Sequence, residues 1–297
     1  MKEIDQCPIC GCEVSNRVMI CKDYLVSGDD FEITACTDCG FQFTNPRPED
    51  DKLSDYYESE DYVSHSETKK GLINRLFLMA RKYTLKKKLR TVRKYSSGNR
   101  ILDIGCGSGS FLDVCKSSGY EACGLEPDEG AREFALKHYG LEVKPIENFL
   151  QLEENTIDVI TMWHVLEHVS DLRLYFQRFK EILDEKGTLF IALPNPESKD
   201  AQMYGKYWAA FDVPRHLYHF RQTDIKNIAE QYGFHLETAL PMKLDAYYIC
   251  MLSEKHKSAK SKLIRSFFKG MKSNLYARRN DKNYSSLIYV FKQDGQA

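Results

Sequence analysis

The stretch RILDIGCGSG at residues 100–109 constrains the fold more than any other part of the chain. An apolar, β-prone run ends at Asp103 and Ile104. Glycines follow at alternate positions, Gly105, Gly107 and Gly109. Phe111, Leu112, Val114 and Cys115 then recur with helical spacing. Strand, glycine loop and helix in that order open a doubly wound α/β fold, in which ligands sit at the carboxyl ends of the strands. Glycines let the backbone come close to such a ligand. A second strand, 119–126, ends on Glu126, 21 residues past Gly105. A carboxylate at that place can take both hydroxyls of a ribose. The loop is not the GxGxxG of dinucleotide sites, because position 110 is Ser110, and no GxxxxGK[ST] for nucleoside triphosphates occurs.

With Asp103, Gly105, Gly107 and Gly109 spaced as D-x-G-x-G-x-G and Glu126 after the second strand, the chain resembles the class I S-adenosylmethionine-dependent methyltransferases. The resemblance implies S-adenosylmethionine as cofactor, with the first loop beside its methionine part and Glu126 on its ribose. It places Ile146 and Glu147 near adenine, and Trp163 and His164, where the fourth strand ends, near the methionine or ribose. It also implies an α/β, doubly wound, seven-stranded Rossmann-like sheet with an antiparallel last strand. The sequence offers elements in that order. Helix 129–139, strand 141–145 and strand 157–163 come first. Helix 171–183 follows, capped by Ser170, then strand 187–193. Helix 223–233, capped by Thr223, precedes strands 234–240 and 285–292.

The head of the chain carries a second pattern. Cys7 and Cys10 form one CxxCG turn, and Cys36 and Cys39 form another. Two such turns supply the four thiolates of a closed tetrahedral zinc site, which is usually structural. Short strands at 18–21 and 31–35 make a hairpin between them. Cys12 and Cys21 stand outside the pairing. So small a head depends on its metal for stability. The expected organisation is a zinc-binding head at 1–48, a connector with a basic helix at 49–98, and a methyltransferase domain at 99–297.

Net charge is −1, but the charges are segregated. Residues 1–50 sum to −6, residues 69–94 to +11 and residues 251–297 to +8. The overall balance argues against a dedicated nucleic-acid binder. The basic connector keeps a zinc-ribbon rRNA methyltransferase as an alternative, and a non-catalytic cofactor-binding scaffold is another. The basic helix at 69–94 has an approximate apolar stripe through Leu72, Ile73, Leu76, Phe77, Ala80, Tyr83, Leu89 and Val92, and Tyr56, Tyr57 and Tyr62 precede it. Residues 262–272, KLIRSFFKGMK, put Leu263, Ile264, Phe267, Phe268 and Met271 on one stripe and suit peripheral membrane contact. No run is long and apolar enough for a membrane span, and the chain reads as cytoplasmic.

Two further motifs bear on chemistry. The segment from Trp163 through His164 and Glu167 to His168 resembles the post-strand-4 region of the ubiquinone-pathway O-methyltransferases. In that group a carboxylate replaces His164 and the trio can bind a divalent metal. Here the Glu-His pair is read first as organising the turn below the cofactor. The segment 208–220, WAAFDVPRHLYHF, lies in a 194–222 connection far longer than an ordinary strand-to-helix loop. It resembles zinc-headed, glycan-associated members of the superfamily and reads as a lid or substrate loop. His216 and His219 are base candidates, and Arg215 is a candidate for holding a phosphate or carboxylate. The expected acceptor is a small molecule or glycan, methylated on oxygen or carbon. The alternative for this loop is packing by Trp208, Phe211 and Phe220 with an Arg215–Asp212 tie.

Overall fold

The computed structural model describes residues 1–57, 72–258 and 262–293. Tyr62 and the start of the basic helix at 69–71 lie outside the described residues, as do the side chains of Leu72, Ile73, Leu76 and Phe77.

The head forms strands β1 (Ser15–Lys22), β2 (Asp30–Cys36) and β3 (Gln42–Thr44), each antiparallel to the next. Asp23 shapes the β1–β2 turn by accepting from the backbone N–H groups of Leu25 and Ser27, each at 2.9 Å. Helix α1 (Leu72–Tyr95) leads into strand β4 (Arg100–Ile104), helix α2 (Ser110–Lys116), strand β5 (Glu121–Leu125) and helix α3 (Glu129–Tyr139). Strand β6 (Ile157–Trp163), helix α4 (Leu172–Ile182) and strand β7 (Leu183–Pro194) follow. The next insertion holds helix α5 (Lys199–Tyr204) and strand β8 (Tyr218–His219). Helix α6 (Gln222–Gln231), strand β9 (Phe234–Pro241), helices α7 (Asp245–Ser258) and α8 (Leu263–Ala277), and strand β10 (Ser286–Gln293) complete the described chain.

The central sheet has the order β5-β4-β6-β7-β10-β9. β4 to β7 run parallel, and β10 is antiparallel to both β7 and β9, as the resemblance implied. β7 and β10 are buried almost throughout, as strands covered on both faces must be. Among the described residues the sheet has six strands, not seven. The expected strand at 141–145 is reduced to a bridge between Leu125 and Lys144, with Lys144 N donating to Gly124 O and Glu126 N donating to Lys144 O. Pro145 follows, and with no N–H to donate it ends the pairing.

Two helix caps differ from the sequence reading. Asp171, not Ser170, caps α4 by accepting from Leu174 N at 3.0 Å. Arg221, not Thr223, precedes α6, and the Asp224 carboxylate closes the first turn by accepting from Arg221 N at 2.9 Å. At both places the aspartate adds a negative charge that the positive end of the helix favours and a serine or threonine hydroxyl lacks.

The head is joined to the insertion. β8 adds to β3, making a four-stranded sheet β1-β2-β3-β8. Arg221 Nη2 donates to Cys39 O, and Thr44 Oγ1 donates to His216 O at 2.7 Å. The zinc-type head thus supports the segment that carries the candidate bases.

Candidate functional site

At the head, the Sγ atoms of Cys7 and Cys39 lie 3.6 Å apart and those of Cys10 and Cys36 3.5 Å apart. All four sulfurs fall within 4.8 Å of one another. Tetrahedral zinc with Zn–S bonds of about 2.3 Å separates its sulfurs by roughly 3.8 Å, so the donor set fits that ion. Against burial, the Cys39 and Asp38 backbone N–H groups and the Cys10 thiol lower the Cys36 pKa, whereas burial raises those of Cys7 and Cys39. Cys12 instead contacts Val14 and Thr37, and Cys21 packs into a hydrophobic cluster with Phe31 and Trp208.

At the carboxyl end of β4, Gly105, Gly107 and Gly109 have φ of +68°, +53° and +76°. These are left-handed conformations that glycine adopts without strain. A Cβ on Gly105 would come 2.5 Å from Val165, whereas one on Gly107 would meet no atom within 4 Å. The loop is therefore packed on one side and open on the other. Glu126 Oε2 accepts from Gly107 N at 2.8 Å, and Oε1 from Asp128 N at 3.1 Å. The ribose-type carboxylate is thus tied to the loop. Asp103 is buried beneath it and accepts from Thr161 Oγ1 at 2.6 Å. Burial pushes its pKa up to about 7, despite that bond and the nearby Lys88. Ile146 and Glu147 open a 3₁₀ turn, the first half-buried and the second exposed.

Trp163 ends β6 with its ring edge-on to Phe111 and the Lys88 ammonium 4.4 Å from its centre. Its Nε1 is buried without a hydrogen-bond partner among the described residues. His164 adopts φ of +60°, and its ring lies between two carboxylates, with Nε2 3.2 Å from Asp245 and Nδ1 3.4 Å from Glu167. Burial disfavours the cation, but the two carboxylates win and raise its pKa to about 9.

His164 and His168 do not share a helical face. His164 lies before the 3₁₀ turn Leu166–His168 and turns toward Asp245. The residue that joins Glu167 and His168 is His216 from the insertion, and one ligand atom from each of the three lies within 4.8 Å of the others. His216 Nδ1 lies 2.9 Å from Ala210 O, and its Nε2 is 4.0 Å from both Glu167 Oε1 and Asp212 Oδ2. In the neutral ring, donation from Nδ1 to that carbonyl leaves Nε2 with its lone pair free. His168 packs edge-on against His216, with Nδ1 near Arg215 O and Tyr57 Oη. Burial, then His216, lowers its pKa to about 4. Burial works against the Glu167 anion, but the surrounding histidines hold its carboxyl below the usual range.

The other two candidates from the insertion are placed differently. Arg215 is fully buried and is committed to Asp23, Asp212 and the Tyr56 carbonyl. It clamps the insertion to the head and presents no free guanidinium to a phosphate or carboxylate. The anticipated Arg215–Asp212 tie is present, and Asp23 adds to it. His219 is buried in β8, 3.3 Å from Thr44 Oγ1 and edge-on to Phe211. Burial, with His216 nearby, lowers its pKa to about 3. It faces the seam between head and insertion, which does not suit a base for an acceptor.

Sequence reasoning missed Asp245, Lys88 and Asp23, all of which reach the site from distant elements. Beyond Lys88 and Asp245 opens a groove of about 410 Å³, also lined by Met242, Met271, Leu275 and Arg278.

The sequence profile described as "Methyltransferase domain" matches residues 77–239. Ubiquinone biosynthesis O-methyltransferase from Actinobacillus pleuropneumoniae is 32% identical over 109 residues, covering 33% of this chain and 47% of that protein. The mitochondrial enzyme of that name from Bos taurus is 32% identical over 122 residues, 36% of this chain and 33% of that protein. The chain thus spans less than half the length of these relatives. A SAM-dependent methyltransferase structure from Archaeoglobus fulgidus matches with a TM-score of 0.50 at 19% identity, over 72% of this chain and 94% of that one. One from Thermotoga maritima gives 0.52 at 19% identity, over 79% and 98%. At such identity these structures establish the shared fold. The profile match spans more than half of the 297 residues, and the sheet order and glycine loop agree with it: the chain belongs to the methyltransferase domain family, within the class I S-adenosylmethionine-dependent methyltransferases.

Proposed function

We propose that this chain methylates an oxygen or an acidic carbon of a small-molecule or glycan acceptor, with His216 as the base. The observation that carries this reading is the His164–Glu167–His216 chain of side chains. It runs from the end of β6 beside the glycine loop into the long insertion. The loop's open side, the Glu126 carboxylate and the unpartnered Trp163 Nε1 fit S-adenosylmethionine. Gly105, Gly107, Gly109 and Glu126 would hold it, with Trp163, His164, Ile146 and Glu147 around it.

When bound, the cofactor supplies an electrophilic methyl carbon on its sulfonium. The protein aligns the acceptor with that carbon and excludes water. An attacking hydroxyl becomes acidic as it bonds, and His216 Nε2 takes its proton. Glu167, held ionised in a buried place, stabilises the imidazolium that results. His164, clamped by Asp245 and Glu167, keeps its positive charge and orients Glu167. The long insertion supports an acceptor larger than a simple alcohol. The basic lining of the groove, Lys87, Lys88, Lys243 and Arg278, supports an anionic group on it.

Calorimetry with S-adenosylhomocysteine tests the cofactor half. Gly105→Val should weaken binding at least tenfold, because its side chain would overlap Val165. Unchanged affinity would refute the loop assignment. Turnover on a panel of phenolic and sugar acceptors tests the base. His216→Ala should lower kcat by about 10²–10⁴-fold while leaving cofactor affinity intact. Unchanged turnover would remove His216 from the chemistry.

A further inference from the structure

Helix α8 is built inside out. The residues it buries are small: Ser266, Gly270, Ser273 and Ala277. Gly270 meets Tyr247 and the Ala246 carbonyl so closely that a Cβ there would lie 2.9 Å from the Tyr247 ring. Its large apolar side chains face outward. Ile264 is 77% exposed, Phe267 54%, Phe268 56% and Leu275 53%, with Met271 beside them. Positions 264, 267, 268, 271 and 275 fall on one face of a helix. Exposed Leu244 lies across the groove from this stripe. An ordinary surface helix turns its apolar stripe to the core and its polar face to water. A contiguous outward apolar patch marks an interaction site.

The charge around the patch selects its occupant. Residues 262–280 carry six cations, Lys262, Arg265, Lys269, Lys272, Arg278 and Arg279, and no acid. Arg265 and Lys269 reach inward to the buried Glu254, at 3.3 and 2.8 Å. Exposed Lys272 lies beside the apolar face, exposed Lys262 precedes the helix, exposed Arg278 and Arg279 follow it, and Lys243 borders the adjoining groove. In a two-fold contact between copies this patch would meet itself, setting cations against cations. An anionic surface pairs with the same cations, and an apolar interior receives the same rings. Phenylalanine and isoleucine on one face with lysine and arginine beside them are the features of a helix lying in a bilayer interface.

We propose that α8 docks this chain on an anionic lipid bilayer, with Ile264, Phe267, Phe268 and Met271 entering the acyl boundary and the flanking cations on the headgroups. Met271 and Leu275 also line the groove that reaches Lys88 and Asp245. Docking therefore sets the groove mouth at the level of the headgroups, on the side of the molecule that leads to Trp163 and His164. Among the described residues no helix is long and apolar enough to cross a membrane, so the attachment is peripheral.

The test is co-sedimentation of the full chain with vesicles of phosphatidylcholine alone or with a third phosphatidylglycerol, at low and high salt. The chain should pellet with the anionic vesicles at low salt and be released by high salt. Phe267→Ser with Phe268→Ser should reduce binding at least tenfold. Lys272→Gln should reduce it about fivefold, the loss of one cation near the surface. Both variants change exposed residues, and retained S-adenosylhomocysteine affinity would show that they remain folded. That affinity also separates this proposal from the methyltransferase reading, since either can fail alone. No pelleting with anionic vesicles at low salt would overturn the proposal, as would equal pelleting with neutral ones. So would unaltered binding by the double variant, or a vesicle-free dimer that the double variant abolishes.

Discussion

Arg215 and Asp23 meet across 192 residues of sequence, with Arg215 Nη2 2.9 Å from Asp23 Oδ1 and both side chains at most 1% exposed. Replacing Arg215 with methionine keeps the bulk of the side chain and removes its charge. Asp212 is partly exposed and can be solvated, but Asp23 is sealed. It would keep the turn N–H groups of Leu25 and Ser27 and lose its counter-charge. Breaking one side of a buried pair costs about 3–5 kcal/mol. Asp23→Asn should cost less, about 1–3 kcal/mol, because it leaves Arg215 paired with Asp212. In the double variant the stranded carboxylate no longer exists, so the two losses should not add. A coupling of about 2 kcal/mol is expected. The assay is denaturant unfolding of all four proteins near pH 7.5 with zinc saturating, followed by tryptophan fluorescence. Trp208 lies in the insertion and Trp163 in the sheet, so single-tryptophan versions separate the two regions. A loss below about 1 kcal/mol for Arg215→Met, or additivity within about 0.5 kcal/mol, would refute the clamp.

Zinc analysis should return about one ion per chain, and removing it with a chelator should release β3 from β8. Turnover should then fall much further than S-adenosylhomocysteine affinity, because the insertion rests on the head and the glycine loop does not; equal losses would argue against that route. His164 should titrate near 9 in the proton NMR spectrum of the cofactor-free protein and move toward 6.5 in Asp245→Asn. Because the folded value is raised, the stability its carboxylate partners provide is complete below about 6.5 and lost as pH rises through about 9. An unshifted titration in Asp245→Asn would show that Asp245 does not hold the charge.

The parts of the fold legible in the sequence are those set by short-range spacing. The glycine loop declared itself because three glycines at alternate positions after an apolar run leave few backbone choices. The four-cysteine cluster did so because two CxxC turns bring their sulfurs together. β6, β7 and β10 were found as continuous apolar runs, which buried strands require. Local reading erred where a nearby residue with similar chemistry took the role. Asp171 displaced Ser170 and Asp224 closed the turn assigned to Thr223, since several polar residues compete for one helix end. The strand at 141–145 failed because an edge segment ending in proline has only two hydrogen bonds to make.

What the sequence determined by itself is the family, the glycine loop and the four-cysteine head. Tertiary structure alone decided which of three neighbouring residues in the insertion reaches Glu167. Arg215, His216 and His219 all sit within five positions, yet Arg215 is neutralised by an aspartate from the head and His219 is sealed against Thr44. Only His216 comes to Glu167. The outward apolar face of α8 was visible as a stripe, but its direction was not. A helical period fixes which residues share a face, while close packing against Tyr247 and Ala246 decides which face turns in.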